Sequence, residues 1–213
     1  MALDEALLEQ AHQPGIRFYR WDLPALSFGY FGRFAEVENY RTQRDLVRRW
    51  TGGGVVFHGD DLTYSLIIPV SDPAFARSST WIYTAVHSAL RDALVACGEP
   101  AKLAAVAGVD HSGTVVSDHG CSSAASECFA NPVRSDVLLN GQKIAGAAQR
   151  RTRAGLLHQG SIQHANVPND FGKRFAKRLC ENCEEISIDP MTLARAEEIA
   201  ARKYGTTEWL LRR

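Results

Sequence analysis

The segment from Cys128 to Ile162 constrains the fold of this chain more than any other part of the sequence. Two or three β-strands are predicted here, at residues 136–139, 143–152 and 155–164, the last of which continues just past the segment. Asn140-Gly141 between the first two has the composition of a tight hairpin turn. The segment also holds one lysine, Lys143, among small and apolar neighbours with few carboxylates beside it in sequence. A nearby thiol and amine are suited to acyl chemistry. Taken alone, however, Lys143 is more simply explained as a solvated surface lysine.

The rest of the chain alternates between strand and helix patterns. Strand patterns occupy residues 16–21, 26–31, 47–49, 55–57 and 62–69, and helix patterns occupy residues 2–11, 78–97, 171–180 and 191–204, with a helical turn at 40–46. Residues 107–127 are rich in Gly, Ser and His and predict a loop. We therefore expect an α/β (α+β) fold in which a mixed β-sheet is flanked by helices, as one domain over residues 1–213.

Local signals at the helix ends support this assignment. Asp4 and Glu5 stand in the favourable first turn of the first helix, and Gly98 can end the long helix in the left-handed region. Asp189 is placed to cap the last predicted helix, and Pro190 suits its first turn.

Charge and composition limit the classes of partner. Twenty-four basic residues balance twenty-four acidic ones, so net charge gives no reason to expect nucleic acid or a membrane surface as a partner. No apolar run approaches the roughly 20 residues that span a bilayer. The first ten residues carry acids where a signal peptide carries bases, and five scattered cysteines do not form a disulfide framework. We expect a reduced, cytoplasmic protein.

Three consecutive glycines, Gly52, Gly53 and Gly54, interrupt the strand pattern of the first third of the chain. Glycines in a strand weaken it unless a ligand or another backbone approaches closely. A loop that aims backbone N–H groups at a carbonyl or phosphate is one explanation, and Arg48 and Arg49 before it could face an anion. A bulge or a loose loop are the alternatives. The run matches neither a P-loop nor a dinucleotide fingerprint.

Metal binding is not expected from the cysteines and histidines. Cys180 and Cys183 form a single CxxC pair, whereas a structural zinc site needs four ligands. A second group of ligand-type residues comprises His111, His119, Cys121 and Cys128, but its spacing fits no zinc pattern. His58 and His158, each judged alone, are more simply explained as structural histidines.

Taken together, these motifs resemble the family of lipoate-protein ligases and octanoyltransferases, which shares a catalytic fold with biotin protein ligases. The run RRWTGGGVVFH resembles the motif Arg-Arg-x-x-Gly-Gly-Gly-x-Val-x-His of that family. The run DVLLNGQKIAGAAQRR resembles its Asp-x-x-x-Asn-Gly-x-Lys-Ile-x-Gly-x-Ala motif, and GLLHQGSI resembles the strand that follows. MALDEALL at the start and KYGTTEWLLRR at the end are similar to flanking signatures, so the resemblance covers nearly the whole chain.

The resemblance implies transfer of a medium-chain acyl group, octanoyl or lipoyl, to a lysine of a lipoyl carrier domain of the glycine cleavage H protein or E2 type. In the transferase chemistry, acyl carrier protein donates the group through a thioester on the enzyme, and no cofactor is needed. Cys128-Phe129 resembles the nucleophile position of that group. In the ligase chemistry, ATP and Mg²⁺ activate free lipoate, and the intact Gly54 looks more like a ligase. We give the cysteine more weight, because thioester exchange requires a nucleophile.

The resemblance assigns roles to particular residues. Cys128 and Lys143 are the expected catalytic pair, and backbone N–H groups of residues 146–148 are expected to hold a developing oxyanion. The expected substrate-binding residues are Arg49, Thr51, Gly52, Gly53, Gly54, Val55, His58, Asp136, Gly146, Ala147, Ala148 and His158. Small residues beside the lysine are expected to leave space for the acyl chain.

The chain departs from the family pattern at some positions, and one further class of function stays open. The family usually has an acid directly after the histidine of the glycine motif, but Gly59 intervenes here, and no accessory C-terminal domain of the ligase kind is expected. The chain could also be a non-catalytic paralogue that binds an acyl group or a carrier. Retention of both Cys128 and Lys143 argues against that alternative.

Overall fold

The computed structural model describes residues 1–105 and 132–212. The described residues form nine β-strands and five α-helices. The strands are β1 (Gly15–Tyr19), β2 (Ala25–Phe28), β3 (Asp45–Arg48), β4 (Val56–His58), β5 (Leu62–Pro69), β6 (Ala101–Leu103), β7 (Val137–Leu139), β8 (Gln142–Arg151) and β9 (Gly155–Ile162). The helices are α1 (Ala2–Gln10), α2 (Ser79–Ala96), α3 (Phe171–Leu179), α4 (Pro190–Ile199) and α5 (Thr207–Leu211).

The larger of two sheets is antiparallel throughout its described strands. Its order is β1-β5-β9-β8-β7-β6, and the predicted hairpin at Asn140-Gly141 joins β7 to β8. Both hairpin residues have positive φ, 51° and 83°, as a tight turn of this composition requires. The register between Val137 and Leu138 shifts, because Val137 faces Ala145 whereas Leu138 faces Lys143. This irregularity places one additional residue on β8 directly beside Lys143.

A second sheet of three described strands has the order β3-β2-β4. β2 runs parallel to β3 and antiparallel to β4, so mixed pairing occurs in this smaller sheet. The α/β class with flanking helices is confirmed. The expectation of one mixed sheet is corrected to an antiparallel sheet and a separate mixed one.

Helices cover both faces of the larger sheet. α2 and α3 pack on one face, where Tyr64, Leu90, Leu156 and Phe175 belong to one buried cluster. On the other face Leu8 of α1 packs against β5 and β9, and α1 in turn contacts α4. Ser78 caps α2, whose end is followed by Gly98 at φ 91°, as predicted.

Several element predictions need correction. The helical turn expected at 40–46 is wrong: a 3₁₀ turn covers Glu38–Tyr40, and β3 already begins at Asp45. The helix expected over 191–204 ends as α4 at Ile199 and continues as a π-helical turn, Ala200–Tyr204, although Asp189 caps it as predicted. β6 and α5 were not predicted.

The described residues give no sign of a metal cluster or a membrane span. No three His, Cys, Asp or Glu side chains in residues 1–105 and 132–212 come together as a metal site. Within the same ranges no helix is long and apolar enough to cross a bilayer. Cys128 and the ligand-type group His111, His119 and Cys121 lie outside the described residues.

Candidate active site

Lys143 forms a buried ion pair at the start of β8. Its Nζ lies 2.7 Å from Oδ2 of Asp136, and 3% and 0% of the two side chains are exposed. The backbone N–H of Val133 also donates to Oδ2, at 2.7 Å. Six residues lie between Asp136 and Lys143 in the sequence, and the β7–β8 hairpin brings the two side chains together. Lys143 is therefore a fixed interior amine, and the simpler explanation of a solvated surface lysine is wrong.

Gly146 leaves room for the lysine side chain. A Cβ at this position would stand 2.6 Å from Lys143 Cε and 2.9 Å from Nζ, closer than real Cβ contacts come. The absence of a side chain at Gly146 therefore has a more direct reason than space for an acyl chain. The next backbone amide, that of Ala147, donates to the hydroxyl of Tyr83 at 3.2 Å. This amide belongs to the stretch expected to hold an oxyanion.

Arg49 fixes the glycine triplet from behind. Its guanidinium donates to the carbonyls of Gly52 and Gly54, at 3.1 and 2.7 Å, and to Oγ of Ser27 at 2.7 Å. Gly53 adopts φ 87°, which strains any other residue type. The triplet is thus a loop of defined shape, and the alternative of a loose loop is not supported.

Gly29, which the sequence analysis did not single out, lets the glycine triplet approach the main chain closely. A Cβ at Gly29, just after β2, would lie 2.1 Å from the carbonyl oxygen of Gly53. Close approach of two backbones is one of the few reasons a chain requires glycine. The contact packs the triplet against the end of β2.

Arg48 does not face an anion, contrary to expectation. Its buried guanidinium donates to four backbone carbonyls, those of Tyr30, Gly32, Leu210 and Arg212. Trp209 Nε1 donates in return to the carbonyl of Arg48 at 3.1 Å. Arg48 therefore attaches the C-terminal helix to the smaller sheet, and only Arg49 of the pair is placed beside the triplet.

His58 lies in a hydrogen-bond chain with a defined direction. Arg49 donates to Ser27 Oγ at 2.7 Å, and His58 Nδ1 donates to the Asp61 carboxylate at 2.8 Å. With its proton on Nδ1, the neutral imidazole accepts the Ser27 hydroxyl at Nε2, at 2.6 Å. Ser161 also donates to Asp61, at 2.6 Å. Burial opposes ionisation of Asp61, but the bonds from His58, Ser161 and the Gly59 amide outweigh it and lower its pKa to about 2.

The hydrogen bonds of His58 explain the departure at Gly59. The carboxylate expected directly after His58 is supplied three residues later by Asp61, since Gly59 and Asp60 form a bend between them. These hydrogen bonds also join the two sheets, because Ser27 and His58 lie on the smaller sheet and Ser161 lies on the larger one.

His158 lies on the face of the larger sheet that α2 and α3 cover, and it is fully buried. Gln149 donates to its Nδ1 at 3.0 Å, and its Nε2 lies 3.4 Å from the hydroxyl of Tyr64. Burial, with a smaller effect of neighbouring His87, holds the pKa of His158 well below its usual range. His158 is thus a neutral interior histidine, and it does not reach the cavity described next.

A narrow cavity lies where the two sheets meet, and it brings half of the expected substrate-binding residues together. Those that line it are Arg49, Gly53, His58, Gly146, Ala147 and Ala148. Thr51 is instead engaged with Gln159, to whose Oε1 it donates at 2.8 Å, and Asp136 lies behind Lys143. The lining residues that the sequence analysis missed are Tyr19, Ser27, Thr63, Gln159, Gly160 and Ser161, together with Met1; Val56 also lines the cavity.

Comparison with known proteins assigns the family. Residues 1–195 match the family model of the lipoyl protein ligase A/B catalytic domain. The chain belongs to this family. Octanoyltransferase LipM of Geobacillus kaustophilus is 34% identical, over all of this chain and 93% of that protein.

Solved structures of the same fold agree with the family assignment. One is a bipartite lipoate protein ligase of Thermoplasma acidophilum, studied with its E2 lipoyl domain, at 20% identity and TM-score 0.73 over 99% of this chain and 89% of that one. Another is lipoate-protein ligase A bound with ATP, at 22% identity and TM-score 0.70 over 99% and 92% of the two chains. At these identities the likeness shows the shared fold.

Proposed function

We propose that this protein transfers an octanoyl group, or its lipoyl counterpart, to a lysine of a lipoyl carrier domain. The observation that carries the proposal is the buried Lys143–Asp136 pair beside a cavity lined by Gly53 of the triplet and by Gly146 of β8. The family assignment and the octanoyltransferase relative support it. A carrier domain as acceptor is supported by the archaeal ligase, which was studied with its E2 lipoyl domain.

The proposed reaction uses Cys128 as the nucleophile in two balanced steps. The Cys128 thiolate attacks the thioester carbonyl of octanoyl-acyl carrier protein, and the carrier leaves as a thiol after it takes a proton. The ε-amine of the acceptor lysine then attacks the enzyme thioester, so an amide forms and Cys128 is released as a thiol. Lys143 supplies a positive charge near the reacting groups and orients them. No cofactor takes part in this reaction.

Intact mass spectrometry tests the thioester directly. Incubation with octanoyl-acyl carrier protein is expected to add one octanoyl group, which hydroxylamine removes. The Cys128→Ala variant is expected to show no adduct. Cys180→Ala is the matched control, because Cys180 is an exposed free thiol whose loss leaves the adduct unchanged. An adduct that persists in Cys128→Ala, or depends on Cys180, overturns the proposed nucleophile.

A ligase reaction is the second candidate function. It is favoured by the intact glycine triplet, since Gly54 at the third position resembles the ligases of the family. Carrier acylation that requires lipoate, ATP and Mg²⁺, with no octanoyl adduct on the enzyme, assigns the protein as a ligase. Octanoate binding without either activity assigns it as a non-catalytic paralogue.

A further inference from the structure

Three side chains of α2 hold the turn that carries Asp136. The hydroxyl of Tyr83 donates to Asp136 Oδ1. Thr84 Oγ1 lies 2.9 Å from the hydroxyl oxygen of Ser135, and His87 Nδ1 donates to the carbonyl of Ser135 at 2.7 Å. We call Tyr83, Thr84 and His87 the α2 clamp. These three contacts all go to Ser135 or Asp136, the two residues that precede β7.

The turn that the clamp holds has an unfavourable backbone conformation. Ser135 adopts φ 68°, a left-handed value that costs a non-glycine residue free energy. Such a conformation persists only where surrounding contacts determine it. The contacts of Ser135 with Thr84 and His87 are of that kind. They fix the direction in which the next residue, Asp136, projects toward Lys143.

The histidine of the clamp is itself held from behind. Since its Nδ1 donates to Ser135, its Nε2 accepts from the hydroxyl of Tyr64 at 3.1 Å. Tyr64 in turn lies 3.4 Å from His158 Nε2, and His158 accepts from Gln149. These contacts connect His87 through Tyr64 and His158 to Gln149 and so support the clamp.

We propose that Tyr83 is a positioning residue for Lys143 in the proposed acyl transfer, and that it acts through Asp136. The hydroxyl of Tyr83 occupies Asp136 Oδ1, so the carboxylate presents Oδ2 to Lys143 Nζ. The same hydroxyl accepts the N–H of Ala147, which ties α2 to β8 beyond Gly146. Tyr83 therefore fixes both the partner of the lysine and the strand on which the lysine lies. The inference rests on the proposed function for its catalytic meaning, but its structural content does not.

The chain offers a closely matched control tyrosine. Tyr204 also donates its hydroxyl to a carboxylate, Glu5 Oε2 at 2.6 Å, and it lies in the π-helical turn beside α1. Burial, then the neighbouring carboxylate, raises the pKa of Tyr83 and of Tyr204 alike. Tyr83→Phe and Tyr204→Phe thus remove the same kind of hydrogen bond, one beside the Lys143–Asp136 pair and one elsewhere.

Two measurements on these variants test the inference. The first is the rate at which Lys143 is acetylated by acetic anhydride, mapped by peptide mass spectrometry and normalised to the exposed Lys173 and Lys177. We expect this rate to rise severalfold in Tyr83→Phe and to stay at the wild-type value in Tyr204→Phe. The second is steady-state octanoyl transfer, in which Tyr83→Phe lowers kcat by up to about a hundredfold with KM for the carrier domain unchanged.

The two measurements separate failure of the inference from failure of the proposed function. Wild-type protein without octanoyl transfer, combined with raised Lys143 acetylation in Tyr83→Phe, contradicts the function and supports the positioning role. Equal acetylation and equal kcat in the two tyrosine variants overturn the positioning role. If Tyr83→Phe does not fold, Thr84→Val replaces it: raised Lys143 acetylation supports the clamp, and an unchanged rate overturns it.

Discussion

At the scale of single residues, a substitution at Gly146 is expected to affect octanoyl transfer much more than the unfolding free energy. A methyl group added here meets the flexible end of Lys143 and no backbone atom within 3.4 Å, so the lysine can move aside. For Gly146→Ala we expect an unfolding free energy lowered by about 1 kcal/mol, the lower end for an overpacked interior. Octanoyl transfer is expected to fall about a hundredfold, because the ammonium leaves Asp136. Urea unfolding and a transfer assay measure the two effects.

Gly15→Ala is the control for that substitution, since a Cβ at Gly15 meets nothing within 4 Å. It is expected to leave both quantities unchanged. Full transfer activity in Gly146→Ala would show that the position of the lysine amine does not matter to the reaction.

The sequence identified Lys143 and Asp136 as site residues, but not their contact. Motif resemblance names residue types at fixed spacing, whereas the ion pair depends on the hairpin register and on the irregularity at Ile144. Tyr83 left no local signal at all, because its role comes from packing of α2 against β8. Asp61 could have been found as the nearby acid that replaces the one displaced by Gly59.

At the scale of elements, Arg48 joins β3 to α5. It donates to two carbonyls in the segment after β2, to that of Leu210 in α5 and to that of Arg212 directly after α5. Lysine cannot reach four acceptors with one ammonium. We expect Arg48→Lys to lower the unfolding free energy by about 2–4 kcal/mol, because buried carbonyls lose charged donors. The midpoint of urea unfolding measures this at constant m.

Arg33→Lys is the matched control for Arg48→Lys. Arg33 is 82% exposed and pairs with Glu36 on the surface, where such a pair is worth less than about 1 kcal/mol. If the two substitutions lower the unfolding free energy equally, the four carbonyls must be hydrated when Arg48 is replaced.

The length of an element and its dependence on distant contacts explain which elements the sequence predicts. β5 and the core of α2 are long enough for their apolar pattern to show, and both were predicted within a residue or two of their bounds. α5 has five residues and depends on the bond from Trp209 to Arg48, which no local pattern reveals. β6 has three residues and is held by pairing with β7.

At the scale of the whole molecule, two buried histidines couple folding to pH. Burial lowers the pKa of His87 from 6.5 to about 4 and holds that of His158 well below its usual range. Between pH 4 and 6.5 the unfolded chain therefore binds more protons than the folded one. The unfolding free energy is therefore not reduced by these histidines above pH 6.5. It falls as the pH drops toward 4, by up to about 1.4 kcal/mol per pH unit for each histidine.

His87→Gln isolates one of these histidines. The glutamine amide can donate to Ser135 and accept from Tyr64, so both hydrogen bonds of His87 have a replacement, but no proton is taken up. Urea unfolding at pH 7.5, 6 and 5 is expected to show a shallower loss of stability in this variant than in the wild type. The loss is not abolished, because His158 remains. His12→Gln, at an exposed histidine, is expected to keep the wild-type slope; a His87→Gln slope that matches it would place the acid sensitivity of the fold outside the clamp.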